Sequence, residues 1–311
     1  MTKSIKVFAP ASVGNSKCGY DVLGFAINQP GDIVKLTLTD IPEVNIQVLG
    51  NEMIPTDPVK NTCGVAALKF LERFAPGTGV NIILDKQMPI GSGLGSSAAG
   101  AAATLFGLNQ LFDNICDDEE LLEFGLAAEK AACGAGHADN IAPSLFGGFI
   151  LINSYIPLKI KKISAPENLY CTVVHPDVEI KTADARNLLP KEVSLATAVL
   201  QMGYLGGFLA ALYTADFEMM KNSLRDLLAE PYRCRLIPHF NDAMKIIENA
   251  NGLGGGISGS GPSIFALSND PAIADLIGDH WQKLYASIGC QVYVSQINDQ
   301  GPKIINGEDI Q

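Results

Sequence analysis

Four glycines and three serines crowd into "PIGSGLGSSAAG", residues 89–100, between the strand-like "VNIILDK" (80–86) and an alanine-rich run, "AAGAAATLFGLNQLF" (98–112). Glycine loses the most backbone entropy on ordering, so this density where a helix begins needs a reason. A phosphate cradle is one: glycines admit the backbone close to an anion, hydroxyls and amides point inward, and the helix presents its positive end. A dinucleotide fingerprint is another, but Gly91-x-Gly93 is followed by Ser96 where the third glycine belongs. No suitable acidic residue lies about 20 residues on either. A structural turn with close helix packing explains an isolated glycine cluster as well as the cradle does. No Gly-Lys-Ser/Thr ends the loop, so a phosphate here would rest on amides and a metal ion without the Walker A lysine.

Other side chains with chemical potential are scattered along the chain. Asn15 and Asp21 lie in "VFAPASVGNSKCGYDVLGFAI" (7–27), and His137, Asp139 and Asn140 in "GHADNIAPSLFGG" (136–148). Thr182 and Arg186 fall in "KTADARNLLP" (181–190), and Arg235 in "AEPYRCRLIPHF" (229–240). Taken singly, Glu129 beside Lys130 reads as a solvated glutamate and His137 as an ordinary structural histidine.

Composition narrows the classes. The 311 residues suit two domains, and 47% hydrophobic with 18% charged residues describes an ordinary globular chain. No apolar run of about 18 residues is read, so no transmembrane helix is expected. The N-terminus runs almost directly into a strand pattern without a signal-peptide core, so a cytoplasmic location is expected. Seven cysteines, never spaced as CxxC, argue for reduced thiols rather than a disulfide framework or a zinc site. A net charge of −11 without a basic run argues against a nucleic-acid binder, and an anionic ligand would need strong local positive potential or a metal ion.

The elements that must position these residues follow from periodicity. Strands are expected at 4–10, 32–38, 44–50, 80–86, 147–153, 169–176 and 291–297. Helices are expected at 61–74, capped by Asn61, and at 97–112, 118–132 and 271–286, with several more between 183 and 249. The segment 154–168, with two prolines and a small basic cluster, is the expected domain boundary. Strands and helices mix without strict alternation, which points to α+β rather than a doubly wound sheet.

The loop "PIGSGLGSSAAG" resembles the phosphate-binding motif of the GHMP kinases, which phosphorylate galactose, homoserine, mevalonate and phosphomevalonate. Segment 7–27 resembles that family's N-terminal substrate motif, and "GGGISGSGPSIFAL" (254–267) its C-terminal glycine-rich motif. Segments 136–148, 181–190 and 229–240 resemble the members that act on L-homoserine. The resemblance implies a two-domain α+β GHMP kinase fold. Its N-terminal half, 1–157, would be like ribosomal protein S5 domain 2, and its C-terminal half, 158–311, ferredoxin-like. It further implies ATP held by Pro89, Ile90, Gly91, Ser92, Gly93, Leu94, Gly95, Ser96, Ser97 and Ala98, and Mg²⁺ on Ser97 and Glu129. L-homoserine would meet Asn15, Asp21, His137, Arg186 and Arg235, with Asp21 taking the ammonium and the arginines clamping the carboxylate. Asp139 and Asn140 would orient the hydroxyl, base catalysis by Asp139 remaining open, while Thr182 and Arg186 join the catalytic group. A homodimer is implied as well. A kinase for another small alcohol such as mevalonate, a dinucleotide-dependent oxidoreductase and a non-catalytic ligand sensor stay as alternatives. Asp21 with two arginines favours an amino acid, and Ser97, Glu129 and the HADN segment speak against a silent site.

Overall fold

The computed structural model describes residues 3–50, 53–134 and 136–305, and only the backbone at 132 and 133. The chain opens with β1 (Ser4–Val13), β2 (Leu23–Thr39), β3 (Val44–Leu49), α1 (Thr62–Phe74), β4 (Gly79–Asp85), α2 (Ser96–Leu111) and α3 (Asp118–Cys133). There follow α4 (Ala138–Phe146), β5 (Phe149–Tyr155), β6 (Leu158–Ile163), β7 (Tyr170–Pro176), α5 (Thr182–Asn187), α6 (Leu195–Thr214) and α7 (Phe217–Ser223). The remainder is α8 (Glu230–Arg233), a 3₁₀ turn (Cys234–Leu236), α9 (Phe240–Asn249), β8 (Gly254–Ile257), β9 (Ile264–Ser268), α10 (Pro271–Leu284), β10 (Cys290–Gln296) and β11 (Lys303–Ile304).

Local signals set several of these ends. The Asn61 side chain accepts the Cys63 amide at the start of α1, and Asp117 accepts the Glu120 amide at the start of α3. Three acidic residues follow in the first turn of α3, where the helix dipole favours them. Burial alternates residue by residue along β3, as a strand with one covered face requires.

Two sheets result. The first runs β11-β1-β2-β4-β3, with β5 pairing β2 and β6 pairing β5; within it β3 and β4 are parallel. The second runs β10-β7-β9-β8, antiparallel throughout. Its residues Cys171, Val173, Phe265 and Leu267 share one core with the first sheet, where the Phe25 ring lies 4.8 Å from Phe149 and 5.7 Å from Phe265. Trp281 and Tyr285 fill a second core that also takes in Phe240 and Ile247 of α9. Helix α2 is buried almost all round, and its alanines allow close approach to β1 and β2.

The arrangement differs from the sequence expectations in four places. β2 begins at Leu23, so half of the quoted 7–27 segment is strand, and α4 occupies a stretch in which no helix is expected. The expected boundary segment contains β6, paired with β5 from Phe149↔Ile163 to Tyr155↔Leu158. A cut at 157/158 falls inside that hairpin, and a division that follows the sheets lies in the 164–169 connection, with β11 returning to the first sheet. Finally, α6 is by length and composition apolar enough to cross a membrane, with a mean hydropathy of 1.6, which corrects the expectation that no such run exists. It packs Gln201, Phe208, Ala211 and Leu212 into the protein, as a helix docked on a folded domain does. Cys18, Cys63, Cys116, Cys171, Cys234 and Cys290 are free thiols, and the Cys133 side chain lies outside the described residues.

Candidate active site

The glycine loop ends in a left-handed residue, Gly95 at φ +63°, which caps α2. A Cβ there would stand 2.0 Å from the Ser12 hydroxyl, and one at Gly93, φ +80°, 2.5 Å from the Ser258 carbonyl oxygen. Neither position admits another residue. The loop is thereby locked on both sides: Ser12 donates its amide to the Leu94 carbonyl at 3.0 Å, and the Ser258 hydroxyl donates to the Gly93 carbonyl at 2.7 Å. Tight turn and open helix end are thus one feature. The first amides of α2 have no acceptor within the helix, and Gly95, Ser96 and Ser97 there line a cavity of about 550 Å³. Ile90, Gly91, Ser92, Gly93, Gly95, Ser96 and Ser97 line it, whereas Pro89, Leu94 and Ala98 do not; the Leu94 and Ala98 side chains are packed in the core.

A lysine serves this loop from outside it. Lys86, just past β4, reaches the Asp32 carboxylate and the Ser96 carbonyl and lines the cavity with its ammonium almost fully buried. Lys60 and Lys181 line the cavity as well. These cations concentrate positive charge in an acidic protein, a role the sequence reading gives to amides, a metal ion and arginines alone.

Two buried carboxyls face the cavity. Glu129 of α3 hydrogen-bonds the Ser97 hydroxyl, its Oε1 has no partner, and its Oε2 is 4.0 Å from His137 Nδ1. Burial pushes its pKa up to about 7 against the opposing pull of Ser97 and Lys86. Asp139, in the first turn of α4, accepts the Asn15 amide at 3.0 Å, and burial, helped by the charge of Asp21, pushes it up to about 7. Asn140 donates to Asp139 Oδ1 at 3.3 Å and accepts the Ser12 hydroxyl at 3.2 Å. Burial holds the His137 imidazole below the usual histidine range, and its Nε2 is buried without a partner.

The wall formed by residues 14–22 is held in an unusual conformation. Asn15, Ser16, Lys17 and Asp21 all have positive φ, a cluster of strain typical of ligand sites. The Asn15 side chain accepts the Asp21 amide at 2.9 Å and donates to the Gly259 carbonyl at 2.8 Å. Tyr155 donates to the Asp21 carbonyl at 2.6 Å, and Gln201 of α6 to the Cys18 carbonyl at 2.7 Å. Opposite, Arg186 pairs with the Asp21 carboxylate at 3.1 Å, and Thr182 Oγ1 lies 3.3 Å from the Ser260 hydroxyl.

Among the residues expected to meet the amino acid, one is elsewhere. Arg235 is exposed and does not line the cavity; Arg233 does, buried, donating to the carbonyls of Ala185 at 3.2 Å and Gly259 at 3.0 Å beneath the Tyr20 ring. The reason is helical geometry: α8 and the following 3₁₀ turn put residues two apart on opposite sides. The two arginines of 229–240 therefore cannot both face the site, and that period was the available signal. Asn15, Asp21, His137, Asp139, Asn140, Thr182, Arg186, Ser97 and Glu129 all converge on the one cavity. Met53, Ile54, Pro55, Asn61 and Thr62 also line it and were not anticipated.

Comparison with known proteins places this geometry. The family described as GHMP kinases N terminal domain matches residues 61–148, and GHMP kinases C terminal matches 208–287. The homoserine kinase of Chlorobium phaeobacteroides (strain BS1) is 42% identical over 319 residues, spanning 97% of this chain and 100% of its own. That of Methanococcus vannielii is 37% identical over 300 residues, spanning 95% of this chain and 96% of its own. The crystal structure of homoserine kinase from Cytophaga hutchinsonii superposes with a TM-score of 0.95 at 48% identity, covering 98% of each chain. Mevalonate kinase of L. major, at 16% identity and a TM-score of 0.72 over 95% of this chain and 97% of its own, shares the fold.

Proposed function

The chain belongs to the GHMP kinases, among the homoserine kinases of that family, and on this premise we propose a role for each group around the cavity. It is an ATP-dependent kinase that phosphorylates the side-chain hydroxyl of L-homoserine to O-phospho-L-homoserine, on the route to threonine. The observation that carries the assignment of groups is one continuous run of contacts. It leads from the glycine loop at Leu94 through Ser12, Asn140, Asp139 and Asn15 to Asp21 and Arg186.

The phosphates of ATP lie against the first amides of α2 and near Lys86, with the base toward Met53, Ile54 and Pro55. Ser97 and Glu129 fit a magnesium ion, because a buried carboxylate oxygen without a partner stands beside a hydroxyl, an all-oxygen pair. When bound, the ion offsets charge on the phosphates. Homoserine enters by separating Asp21 from Arg186: its ammonium replaces the guanidinium on Asp21, and its carboxylate takes Arg186 and Arg233, with His137 Nε2 beside it. Asn140 and Asp139 orient the hydroxyl, and an ionised Asp139 takes its proton as the oxygen bonds to the γ-phosphorus of ATP and the bond from that phosphorus to the departing ADP oxygen breaks. Because such transfer is largely dissociative, positioning contributes more than early deprotonation. Thr182 lies beside the transferred group. The working enzyme is, in this reading, a cytoplasmic homodimer.

The direct check is ADP release from MgATP with homoserine, mevalonate, galactose or no acceptor. Stimulation by homoserine is expected; stimulation by mevalonate alone would overturn the reading, and ligand binding without ADP would make the chain a sensor.

A further inference from the structure

Helix α6 has twenty residues and not one charged side chain. Its inner side is occupied by Gln201, Phe208, Ala211 and Leu212. Its outer side exposes Leu195 (80%), Val199 (54%), Met202 (63%) and Tyr213 (64%), with Gly206 and the half-buried Leu209 completing the row. Steps of three and four residues along that row are the spacing of a helix–helix seam. A Cβ added at Gly203 or Gly206 would meet nothing within 4 Å, so the middle of the helix offers open backbone to a close neighbour.

We propose that α6 is the interface between two copies of this chain, packed antiparallel about a two-fold axis near residue 204. The row is self-complementary about that point: Leu195 faces Tyr213, Val199 faces Leu209, and Met202 faces Gly206 of the other copy. A two-fold interface needs this reciprocity, in which each residue meets a partner that meets it in return. Met202 then fills the space above the opposite Gly206. Leu195, Val199, Leu200, Met202 and Tyr213 of α6 are each more than half exposed, an apolar face on the scale of the ~800 Å² per partner that a standard interface buries. A lipid surface is the other apolar partner such a helix takes. Interfacial helices carry Lys or Arg on their polar face; α6 has neither, and a net charge of −11 repels anionic headgroups.

The inference rests on the dimer in the preceding reading and specifies its face. Sedimentation of the full chain should give about twice the 33.0 kDa monomer mass. Met202→Glu, at an exposed position that leaves the fold intact by circular dichroism, should raise the dimer dissociation constant at least about 100-fold. Independently of any loss of stability, a Met202→Cys copy mixed with a Gly206→Cys copy should give a disulfide-linked dimer under mild oxidation. A Lys69→Cys chain should not. A dimer unaffected by Met202→Glu and never cross-linked through 202 and 206 would overturn the α6 face while leaving the dimer. A monomeric wild-type chain would overturn both. Flotation of the wild type with neutral or anionic vesicles, lost in Met202→Glu, would replace the second copy by a membrane.

Discussion

Glu129 and Asp139 each hold a buried carboxyl with a pKa pushed up to about 7, an arrangement that stability alone does not favour. Both act ionised in this account, so kcat/KM for homoserine should rise from pH 6 to pH 8; a profile flat across that range would contradict both roles. Glu129→Gln and Ser97→Ala should each lower kcat about 100-fold or more, with apparent magnesium affinity falling in parallel in a metal titration. On the amino-acid side, Arg186→Leu and Arg233→Leu should raise the homoserine KM about tenfold or more, whereas Arg235→Leu should leave it within about twofold. Steady-state kinetics separate these outcomes. The sequence names the groups that share the cavity where a motif fixes the backbone: Asp139 and Asn140 line it because they start α4, and Asp21 because its loop is knotted by Asn15. Arg233 rather than Arg235 lines the cavity, and two arginines in one segment look alike until helical phase separates them; Lys86 was invisible because it reaches the loop from a neighbouring strand.

At the scale of elements, the glycine loop and α2 form one device. Gly95→Ala places a methyl into the Ser12 hydroxyl at a left-handed position, so ATP affinity should fall at least about tenfold, alongside a loss of roughly 1–3 kcal/mol in stability. Nucleotide titration and chemical denaturation of the same sample test both effects; an alanine variant with unchanged ATP affinity would remove the loop from the nucleotide site. Elements with strong periodicity or a clear cap, such as α1 and α3, were readable from the sequence. Those without were not. Pro143 masks α4 because it lacks the N–H that would bond the Asp139 carbonyl, and the prolines around β6 read as a linker although its backbone pairs with β5.

Across the whole molecule the buried carboxyls link protonation to stability. Their folded pKa values lie above the unfolded ones, so between about pH 4 and pH 7 the folded chain binds more protons, and stability falls as pH rises through that window. The cost at neutral pH is on the order of 3 kcal/mol per group. Thermal melts should show a Glu129→Gln, Asp139→Asn chain more stable than wild type at pH 7.5 and similar to it at pH 4; identical pH slopes would contradict the burial argument. The shared core that joins the two sheets places the substrate wall and the phosphate loop in one body, so recognition of the amino acid and transfer of phosphate depend on a single cavity. The most direct test of that claim compares turnover of MgATP with L-homoserine, with 4-hydroxybutanoate, which lacks the ammonium, and with 3-aminopropan-1-ol, which lacks the carboxylate. Opposed charges at Asp21 and Arg186 predict at least about a 100-fold loss in kcat/KM for each truncated acceptor. Equal turnover of homoserine and 4-hydroxybutanoate would contradict the account.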